Sequence, residues 1–434
     1  MANKLKTQKK PKAVKTLAFE HVKGMADILP REQEWRRLFW QIGQTVSELH
    51  DFYFIETPLL EPADLFESSA GISEEELKKQ LYILKDREGE RLALRFNAHA
   101  PILRAYIEHR LAYFASPVKV FHTGPYFRHI KMVPGFERQF HVWGFEVVGE
   151  ADSIYDGEVI LALFDFLKAL KIKSPILRIN TSGCRVCRPA FKQKIKNYYR
   201  NQKDSLCRDC AKHLDDNPFA LMKCENEGCR ALREKAPIIL DYLCQSCNNH
   251  LKAVLELVED NGIAYEPNPF LLPDNDHCNR TIFEIFAPPF ELPVASGSRY
   301  DYLGETIGGR IAPAVGGALG LERVIEAMKR QEIVPHAKSK PKVFFVVIGD
   351  QAKKSALRLM NQLRSSGVAV VEVVGKKTLR AQLKIAERMS ITLALLLGQK
   401  EVFEGTVIVR DMTSGVQETV LSERIVEEVK KRLH

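Results

Sequence analysis

Residues 118–148 read VKVFHTGPYFRHIKMVPGFERQFHVWGFEVV, and this stretch decides the fold. Two strand-like runs, Val118–Phe127 and Phe136–Val148, are separated by a polar turn around Pro134 and Gly135. Runs rich in valine and aromatic residues, bounded by glycine and proline, are typical of paired strands. The stretch therefore predicts a β-hairpin inside a strand-rich domain.

Composition narrows the class of protein before any motif is considered. The chain has 434 residues, of which 45% are hydrophobic and 27% charged, the balance of a globular protein of about three domains. It contains no run of 18 apolar residues, and its lysine-rich start lacks the apolar segment of a secretory signal. We therefore expect a cytoplasmic protein without a membrane partner. The formal net charge of +9 favours polyanionic partners.

The pattern along the chain predicts six segments. Apolar residues at helical spacing predict helices over residues 30–50 and 160–172. Strand–helix alternation from Val343 to Leu397 predicts a small α/β domain with a mostly parallel sheet. We expect, in order, a disordered basic tail (1–18), the first part of a large domain (19–180), a cysteine-rich insertion (181–250), the second part of the large domain (251–330), a hinge (331–341) and a terminal domain (342–434).

Eight of the nine cysteines lie in the insertion and form four pairs at the spacing of metal ligands. The pairs are Cys184 with Cys187, Cys207 with Cys210, Cys224 with Cys229, and Cys244 with Cys247. Two such pairs close one tetrahedral structural site, so four pairs predict two structural zinc ions, each held by four sulfurs. Nested and sequential pairing both satisfy the spacing, and nesting is preferred. Cys278 stands outside the insertion and is expected to be a small buried residue.

Two arginines are placed to bind a polyanionic ligand. Arg128 follows the first strand of the hairpin, and Arg323 lies on a predicted helix that is preceded by the glycine-rich stretch 316–320. A guanidinium group offers two parallel donors to phosphate oxygens, and glycines leave room for a ligand. The two arginines therefore predict a site for a nucleoside triphosphate.

The motifs around these arginines resemble those of class II aminoacyl-tRNA synthetases. Phe127-Arg128 with Arg138-Gln139-Phe140-His141 is similar to motif 2. Ser298-Arg299-Tyr300-Asp301 with Gly320-Leu321-Glu322-Arg323 is similar to motif 3 in its histidyl form. The segments 23–30, 56–61 and 280–284 resemble the histidyl-tRNA synthetase family, and residues 405–411 are similar to its anticodon-binding domain. The resemblance covers roughly residues 20–434.

The resemblance implies a fold, a reaction and a set of partners. The fold is α+β: a six-stranded antiparallel catalytic sheet flanked by helices, a zinc-binding insertion, and a C-terminal α/β anticodon-binding domain in a homodimer. The implied enzyme is a histidine–tRNA ligase. Histidine attacks the α-phosphate of ATP, which enters with Mg²⁺, and the resulting histidyl-adenylate passes its acyl group to tRNA(His). DNA is not an expected partner.

The resemblance also assigns roles to individual residues. Arg128 would hold the α-phosphate and the histidine carboxylate, Arg323 the γ-phosphate, and Glu146 would contact the imidazole. The remaining pocket positions depart from the family pattern at most places. They are Asn97 for a glutamate that holds the amino group, Val142 for a glutamine, Pro273 for a catalytic arginine, Cys278 for a tyrosine that contacts the imidazole, and Asp276, which is retained.

Three lost hydrogen bonds to charged groups would total roughly 5–9 kcal/mol. New contacts from His99 and His277, which lie in the same segments, would offset part of this cost. Two alternatives to a histidine–tRNA ligase follow from the altered pocket: a non-catalytic member of the family that binds tRNA or protein, and a related ligase that activates another carboxylic acid.

A basic stripe in the terminal domain is the predicted contact with tRNA. Arg380, Lys384 and Arg388 recur every four residues, which places them on one face of a helix. Such a face suits an RNA backbone and would make binding strongly dependent on salt.

Overall fold

The structure is a computed structural model that describes residues 19–433, apart from 70–76, 78, 216, 274–276, 336–341, 374 and 376–377. The chain divides into two compact units, residues 1–335 and 336–434. The predicted basic tail, most of the predicted hinge, and Asp276 lie outside the described residues.

The first unit contains two sheets in its described part. In chain order, its strands are β1 (Tyr53–Phe54), β2 (Leu60–Pro62), β3 (Ile83–Lys85), β4 (Arg91–Leu94), β5 (Val118–Phe127), β6 (Gln139–Val148), β7 (Ile176–Thr181), β8 (Tyr265–Pro267), β9 (Asn279–Ala287), β10 (Phe290–Arg299) and β11 (Ala314–Gly320). β2, β4 and β3 form the small sheet, and the other strands form the large one in the order β1-β5-β6-β11-β10-β9-β7-β8.

The six central strands of the large sheet are antiparallel throughout. This confirms the predicted catalytic sheet. Two short strands, β1 and β8, extend it by parallel pairing at its edges. The predicted hairpin is β5–β6, but β6 begins at Gln139 and not at Phe136. The strand begins later because the amide of Arg138 donates to Gly24 O (2.9 Å) in the N-terminal segment.

Helices cover the large sheet and form the insertion. They are α1 (Gln33–Leu49), α2 (Ala63–Ser69), α3 (His99–Glu108), α4 (Ile154–Ala169), α5 (Cys187–Arg200), α6 (Arg208–His213), α7 (Glu227–Arg233), α8 (Gln245–Asp260), α9 (Leu303–Gly308) and α10 (Leu321–Arg330). Short 3₁₀ turns occupy Leu111–Tyr113, Lys203–Ser205, Pro218–Lys223 and Ile239–Tyr242. No helix in the described residues has the length and apolar character needed to cross a bilayer.

The main core lies between the large sheet and α1, α4 and α10. Both helices predicted in this region are present, but α4 begins six residues before the predicted start at residue 160. Asp152 Oδ1 accepts from the amide of Ile154 (2.9 Å) and starts the helix, and Lys171, with φ of 64°, follows its end. Phe166 of α4 packs on Phe39 of α1 at a ring distance of 4.7 Å. The core thus fixes both helices against the strands of the hairpin.

The insertion leaves the large sheet after β7 and returns at β8. Its own small core contains Phe191, Ile195 and Tyr199 of α5, packed on Phe219 and Met222. Its last helix, α8, extends beyond residue 250 and contacts α4, where the side chain of Leu257 lies against Gly157. The insertion is therefore joined to the sheet by a helix that serves both.

The second unit is a five-stranded sheet with helices. It contains β12 (Lys342–Val347), α11 (Asp350–Ser365), β13 (Ala369–Glu372), α12 (Leu379–Arg388), β14 (Leu393–Leu397), α13 (Gln399–Glu404), β15 (Thr406–Asp411), β16 (Gln417–Leu421), a 3₁₀ turn (Ser422–Arg424) and α14 (Ile425–Leu433). The prediction of an α/β domain is confirmed. The prediction of a mostly parallel sheet is wrong, because only two of the four strand pairs in the described residues are parallel.

The sheet of the second unit is mixed, with the order β13-β12-β14-β15-β16. β13 and β14 pair with β12 in parallel, whereas β15 is antiparallel to both of its neighbours. A tight turn after β15 explains its antiparallel pairing with β16, because Asp411 Oδ1 accepts from the amides of Thr413 and Ser414 (both 2.8 Å) and Gly415 has φ of 76°. Parallel strands need a crossover of a dozen or so residues, and this turn is shorter.

A buried ion-pair network fixes the end of β10 to α4. Arg299 is fully buried, and its Nε donates to both carboxylate oxygens of Asp156 (3.2 and 3.0 Å). Its other nitrogens donate to Asp301 Oδ1 (3.0 Å) and to the carbonyls of Glu150 (3.2 Å) and Asp152 (2.9 Å). Because every polar atom of this guanidinium is paired, the cost of burying it is offset only while all partners remain.

We predict that Asp156→Ala lowers the free energy of unfolding of the first unit by about 3–5 kcal/mol, since it leaves Arg299 buried with an uncompensated charge. Asp165→Ala, on the exposed side of the same helix, should cost no more than about 1 kcal/mol. Urea denaturation followed by tryptophan fluorescence measures both, because all three tryptophans (Trp35, Trp40 and Trp143) lie in the first unit. Equal losses in the two variants would contradict the prediction.

Candidate active site and metal centres

A cavity of about 830 Å³ opens on one face of the large sheet. It is lined by the β5–β6 hairpin, by β10, by the start of α10 and by the N-terminal segment before α1. Both predicted arginines, Arg128 and Arg323, line it. Its volume is in the range of pockets that bind cofactors and substrates.

Aromatic rings and carbonyl oxygens hold the two guanidinium groups in place. Arg128 directly follows β5, its Nε donates to Phe96 O (3.2 Å), and its guanidinium carbon lies 5.4 Å from the centre of the Phe140 ring. Arg323 is in the first turn of α10 and donates to Pro293 O (3.1 Å), with its guanidinium carbon 4.7 Å from the Phe136 ring centre. The rings orient both side chains by cation–π contact.

Glu322 fixes the first turn of α10 beside Arg323. Its carboxylate accepts from Arg36 Nη2 of α1 (2.7 Å) and from the amide of His141 in β6 (2.9 Å), and it lies 3.0 Å from His141 Nδ1. Burial alone would raise the pKa of Glu322, but its contacts with His141 lower the pKa below its usual value. An ionised carboxylate thus ties α1, β6 and α10 together at the cavity.

The other end of the cavity is built around Glu146, which is fully buried on β6. Gly316 of β11 is its neighbour in register, and a Cβ at this glycine would overlap the carboxylate. Tyr300 OH donates to Glu146 Oε2, and His99 Nδ1 and His122 Nε2 lie 3.1 and 3.6 Å from Oε1. The carboxylate is therefore enclosed by a phenol and two imidazoles.

The charges of this cluster follow from its pKa shifts. Burial alone would raise the pKa of Glu146, but the charge of His99 and contacts with both imidazoles lower the pKa to about 2. For His99, burial lowers the pKa, but the carboxylate more than offsets this and the pKa is raised. Burial lowers the pKa of His122 and raises that of Tyr300. The shifts of Glu146 and His99 thus both favour a carboxylate paired with an imidazolium.

Asn97 and Val142 also line this end of the cavity. Asn97 Oδ1 is buried and has no hydrogen-bond partner among the described residues, so it offers an acceptor to a ligand. Together with Glu146 and His99, these residues form the part of the predicted amino-acid pocket that the structure assembles.

The remaining predicted pocket residues in the described part of the chain do not line the large cavity. Pro273 is buried, and His277 and Cys278 line a second cavity of about 380 Å³. Cys278 is buried as predicted, and its sulfur lies 3.3 Å from Ser298 Oγ. The structure therefore places His277 and Cys278 at a different cavity from Asn97 and Val142, although Cys278 lies close enough to His99 to raise the pKa of that imidazole.

Three residues at the site were not among the predicted site residues. His122 and Tyr126 line the cavity, and Tyr300 donates to Glu146. The two-residue period of a strand could have identified two of them, because His122 and Tyr126 share with Gly124 one face of β5, the strand that leads to Arg128. His122 Nδ1 and Tyr126 OH share a hydrogen bond of 3.0 Å. Tyr300 lies in the motif 3 segment that the sequence had singled out.

The eight cysteines of the insertion form two clusters with nested pairing, as the sequence preferred. One cluster contains Cys184, Cys187, Cys244 and Cys247, and the other contains Cys207, Cys210, Cys224 and Cys229. Cys184 Sγ lies 3.6 Å from Cys187 Sγ and 3.8 Å from Cys244 Sγ, and Cys207 Sγ lies 3.9 Å from Cys224 Sγ. Disulfides would need about 2.05 Å, so these are free thiols that converge on a common centre.

The basic stripe lies on α12 of the second unit. Arg380, Lys384 and Arg388 are exposed, whereas Gln382 and Ala386 on the same helix are buried. Buried Gln382 exchanges two hydrogen bonds with the backbone of Val347, at 3.0 and 2.7 Å. These bonds fix the helix on the sheet with its basic face outward.

Comparison with known proteins gives consistent matches. The profile of the histidyl-tRNA synthetase family matches residues 24–324, and that of the anticodon-binding domain matches residues 342–432. A histidine–tRNA ligase of Dehalococcoides mccartyi is 35% identical over 418 residues, covering 96% of this chain and all of that protein. One from Aquifex aeolicus is 34% identical and covers 92% and 98% of the two chains.

Solved structures agree with these matches. The apo histidyl-tRNA synthetase of Staphylococcus aureus superposes with a TM-score of 0.78 at 26% identity, covering 95% of this chain and all of that one. Since the family profile matches well over half of the chain and relatives above 30% identity are covered in full, this chain belongs to the histidyl-tRNA synthetase family.

Proposed function

We propose that this chain is a histidine–tRNA ligase, which activates histidine with ATP and transfers it to tRNA(His). The observation that carries the proposal is a single cavity that holds Arg128 and Arg323 together with the buried carboxylate Glu146. The curated relatives that match the whole chain have this activity in their names.

The chemistry requires positioning and charge stabilisation. The carboxylate of histidine attacks the α-phosphorus of ATP, the bond to the bridging oxygen breaks, and pyrophosphate leaves. Arg128 would contact the carboxylate and the α-phosphate, where negative charge builds up, and Arg323 would hold the terminal phosphate. Mg²⁺ enters with the triphosphate, whose oxygens are the ligands it prefers.

Because the pocket lacks several residues of the family pattern, the remaining polar groups must make the contacts with the amino acid. Asn97 Oδ1 is an orphaned acceptor at the pocket end of the cavity, so it suits the ammonium group of an amino acid. The cavity lining holds other cationic side chains, Arg36, Lys329 and Arg330, but only Arg128 is assigned to the carboxylate by the resemblance, so we expect Arg128 to bear that group in the absence of the arginine that Pro273 displaces. We therefore expect a slower reaction than in relatives that retain that arginine, with the same products.

Histidine-dependent exchange of pyrophosphate into ATP tests the activity. We expect exchange with histidine and not with the other amino acids, and a loss of about 100-fold or more in Arg323→Ala, the usual cost of removing a charge-stabilising donor. Arg37→Ala, on an exposed face of α1 outside the cavity, is the matched control and should keep full activity.

Exchange with a different carboxylic acid alone would replace histidine as the substrate. No exchange with any acid, alongside tight binding of tRNA, would identify a non-catalytic member of the family.

We propose that each cysteine cluster holds a structural zinc ion. Four sulfurs at about 2.3 Å from one tetrahedral ion lie about 3.8 Å from each other. The measured separations of 3.6, 3.8 and 3.7 Å in the first cluster and 3.9 Å in the second fit this value. Four thiolates complete the coordination, so the ions would stabilise the insertion and take no part in the reaction.

Metal analysis of the purified protein should give two zinc ions per chain. Cys187→Ser and Cys229→Ser each remove a ligand from a different cluster, and each should reduce the content to about one. Cys278→Ser, outside both clusters, should leave it at two. Full metal content in both ligand variants would rule out the assignment.

We propose that the second unit binds the anticodon region of tRNA through the basic stripe on α12. Its three side chains are exposed and lie along one face. Phosphate contacts of this kind release counterions, so each adds about 0.7 to the slope of log affinity against log salt on single-stranded RNA.

Replacing Arg380, Lys384 and Arg388 by alanine should weaken tRNA binding by about tenfold or more and reduce that slope by about 2. The control removes the same charge from α11 by replacing Lys354, Arg358 and Arg364, which are also exposed. Filter binding across a salt series measures both. An equal effect of the two triple variants would show that general charge, and not the stripe, is responsible.

We also propose a homodimer in the cytoplasm. The edge of the large sheet beside β1 exposes a run of large apolar side chains, including Tyr53 (68% exposed), Phe54 (54%) and Leu59 (44%). A patch of this kind is typical of an interface. The cytoplasmic location is proposed because the substrates, ATP and tRNA, are used there.

A further inference from the structure

The Glu146 cluster provides contacts that suit an imidazole ring. A buried carboxylate, the ring of Tyr300 and the edge of His122 enclose a space at the end of the large cavity. A flat cationic ring is bound well by a carboxylate at one nitrogen and an aromatic ring against its face. These are the contacts that the subsite provides.

In this structure, the chain's own His99 occupies that subsite. Its Nδ1 lies 3.1 Å from Glu146 Oε1, and its ring centre lies 4.5 Å from that of Tyr300, with a tilt of 44°. His99 is the first residue of α3. A quarter of its side chain is exposed into the cavity, so a rotation about its side-chain bonds can move the ring out without moving the helix.

The contact between His99 and Glu146 is imperfect. His99 Nδ1, Glu146 Oε1 and His122 Nε2 are all buried, and none makes a hydrogen bond of good geometry with a described residue. A tethered ring on a helix cannot align its N–H with the carboxylate as freely as a diffusible ring can. An untethered imidazole can therefore form the better bond.

We propose that His99 is a specificity-determining residue that acts as an intramolecular competitor for the side chain of histidine. The ring of the incoming amino acid takes the place of the His99 ring against Glu146 and Tyr300, and His99 turns into the open part of the cavity. An amino acid without such a ring cannot displace it. This proposal rests on the proposed function for the identity of the substrate, but the subsite itself does not.

The test uses His99→Ala and imidazole as the probe. Alanine suits the first turn of a helix, so α3 should remain intact. Calorimetry should show that imidazole binds the variant about tenfold or more tightly than the unaltered protein, since one hydrogen bond to a charged group is regained without competition. In pyrophosphate exchange, the KM for histidine should fall by a similar factor.

Three further variants serve as a control, a test of the role of Glu146, and a substitute for the alanine variant. His109→Ala, exposed at the opposite end of α3, should behave like the unaltered protein in both assays. His99→Ala combined with Glu146→Gln should lose the gain in imidazole binding. His99→Ser also removes the ring and its nitrogens and suits the start of a helix, so it should gain imidazole binding as well if the alanine variant fails to fold.

Two outcomes would overturn the proposal. One is a set of His99 variants that bind imidazole no better than His109→Ala, and the other is a KM for histidine that rises when His99 is removed. If no variant supports exchange with histidine but His99→Ala gains imidazole binding that depends on Glu146, the subsite stands and the proposed function fails.

Discussion

A carboxylate buried in a β-sheet constrains everything around it, and Glu146 imposes this constraint on the catalytic sheet. Its side chain points across to β11, where only a glycine leaves room for it, and Gly316 occupies that position. Its charge requires donors, which come from three distant parts of the chain: Tyr300 after β10, His99 on α3 and His122 on β5. Strand order, register and the start of a helix therefore all converge on one ionised group.

The same hairpin that carries Glu146 also builds the side of the cavity where Arg128 and Arg323 lie. Arg128 follows β5, and β6 begins beside the carboxylate of Glu322, which holds α10 and with it Arg323. Because β6 pairs with both β5 and β11, the hairpin fixes the distance between the two ends of the cavity. A shift of one residue in this register would turn Glu146 to the opposite face.

Much of this arrangement could be predicted from local patterns in the sequence. The hairpin, the helices around the sheet and the pairing of cysteines at ligand spacing are local features, and the sequence predicted them. Contacts between distant residues were less accessible, because no periodicity links His99 to Glu146. The mixed second sheet was not predicted because the strand–helix alternation behind the prediction ends at Leu397, before the turn from Asp411 to Gly415. Strand-like sequence was recognised at Tyr53–Ile55 and over residues 263–272, but the parallel edge pairing of β1 and β8 was not predicted, because two or three residues carry too little pattern to fix a partner.

The charges of the substituted residues explain which contacts of the predicted amino-acid pocket are affected. Asn97 in place of a glutamate removes one negative charge, and Pro273 in place of an arginine removes one positive charge, so the pair leaves the net charge of the pocket unchanged. In the proposed site these two positions would serve the ammonium and the carboxylate that every amino acid shares, so a zwitterion would lose one contact at each end. Discrimination by side chain would depend on a different group, Glu146, which is retained and buried. Because His99 Nδ1 lies 3.1 Å from Glu146 Oε1, an incoming ring would compete with the His99 ring for this carboxylate in the proposed site. The changes in this chain would then weaken general affinity for amino acids and leave the selective contact in place.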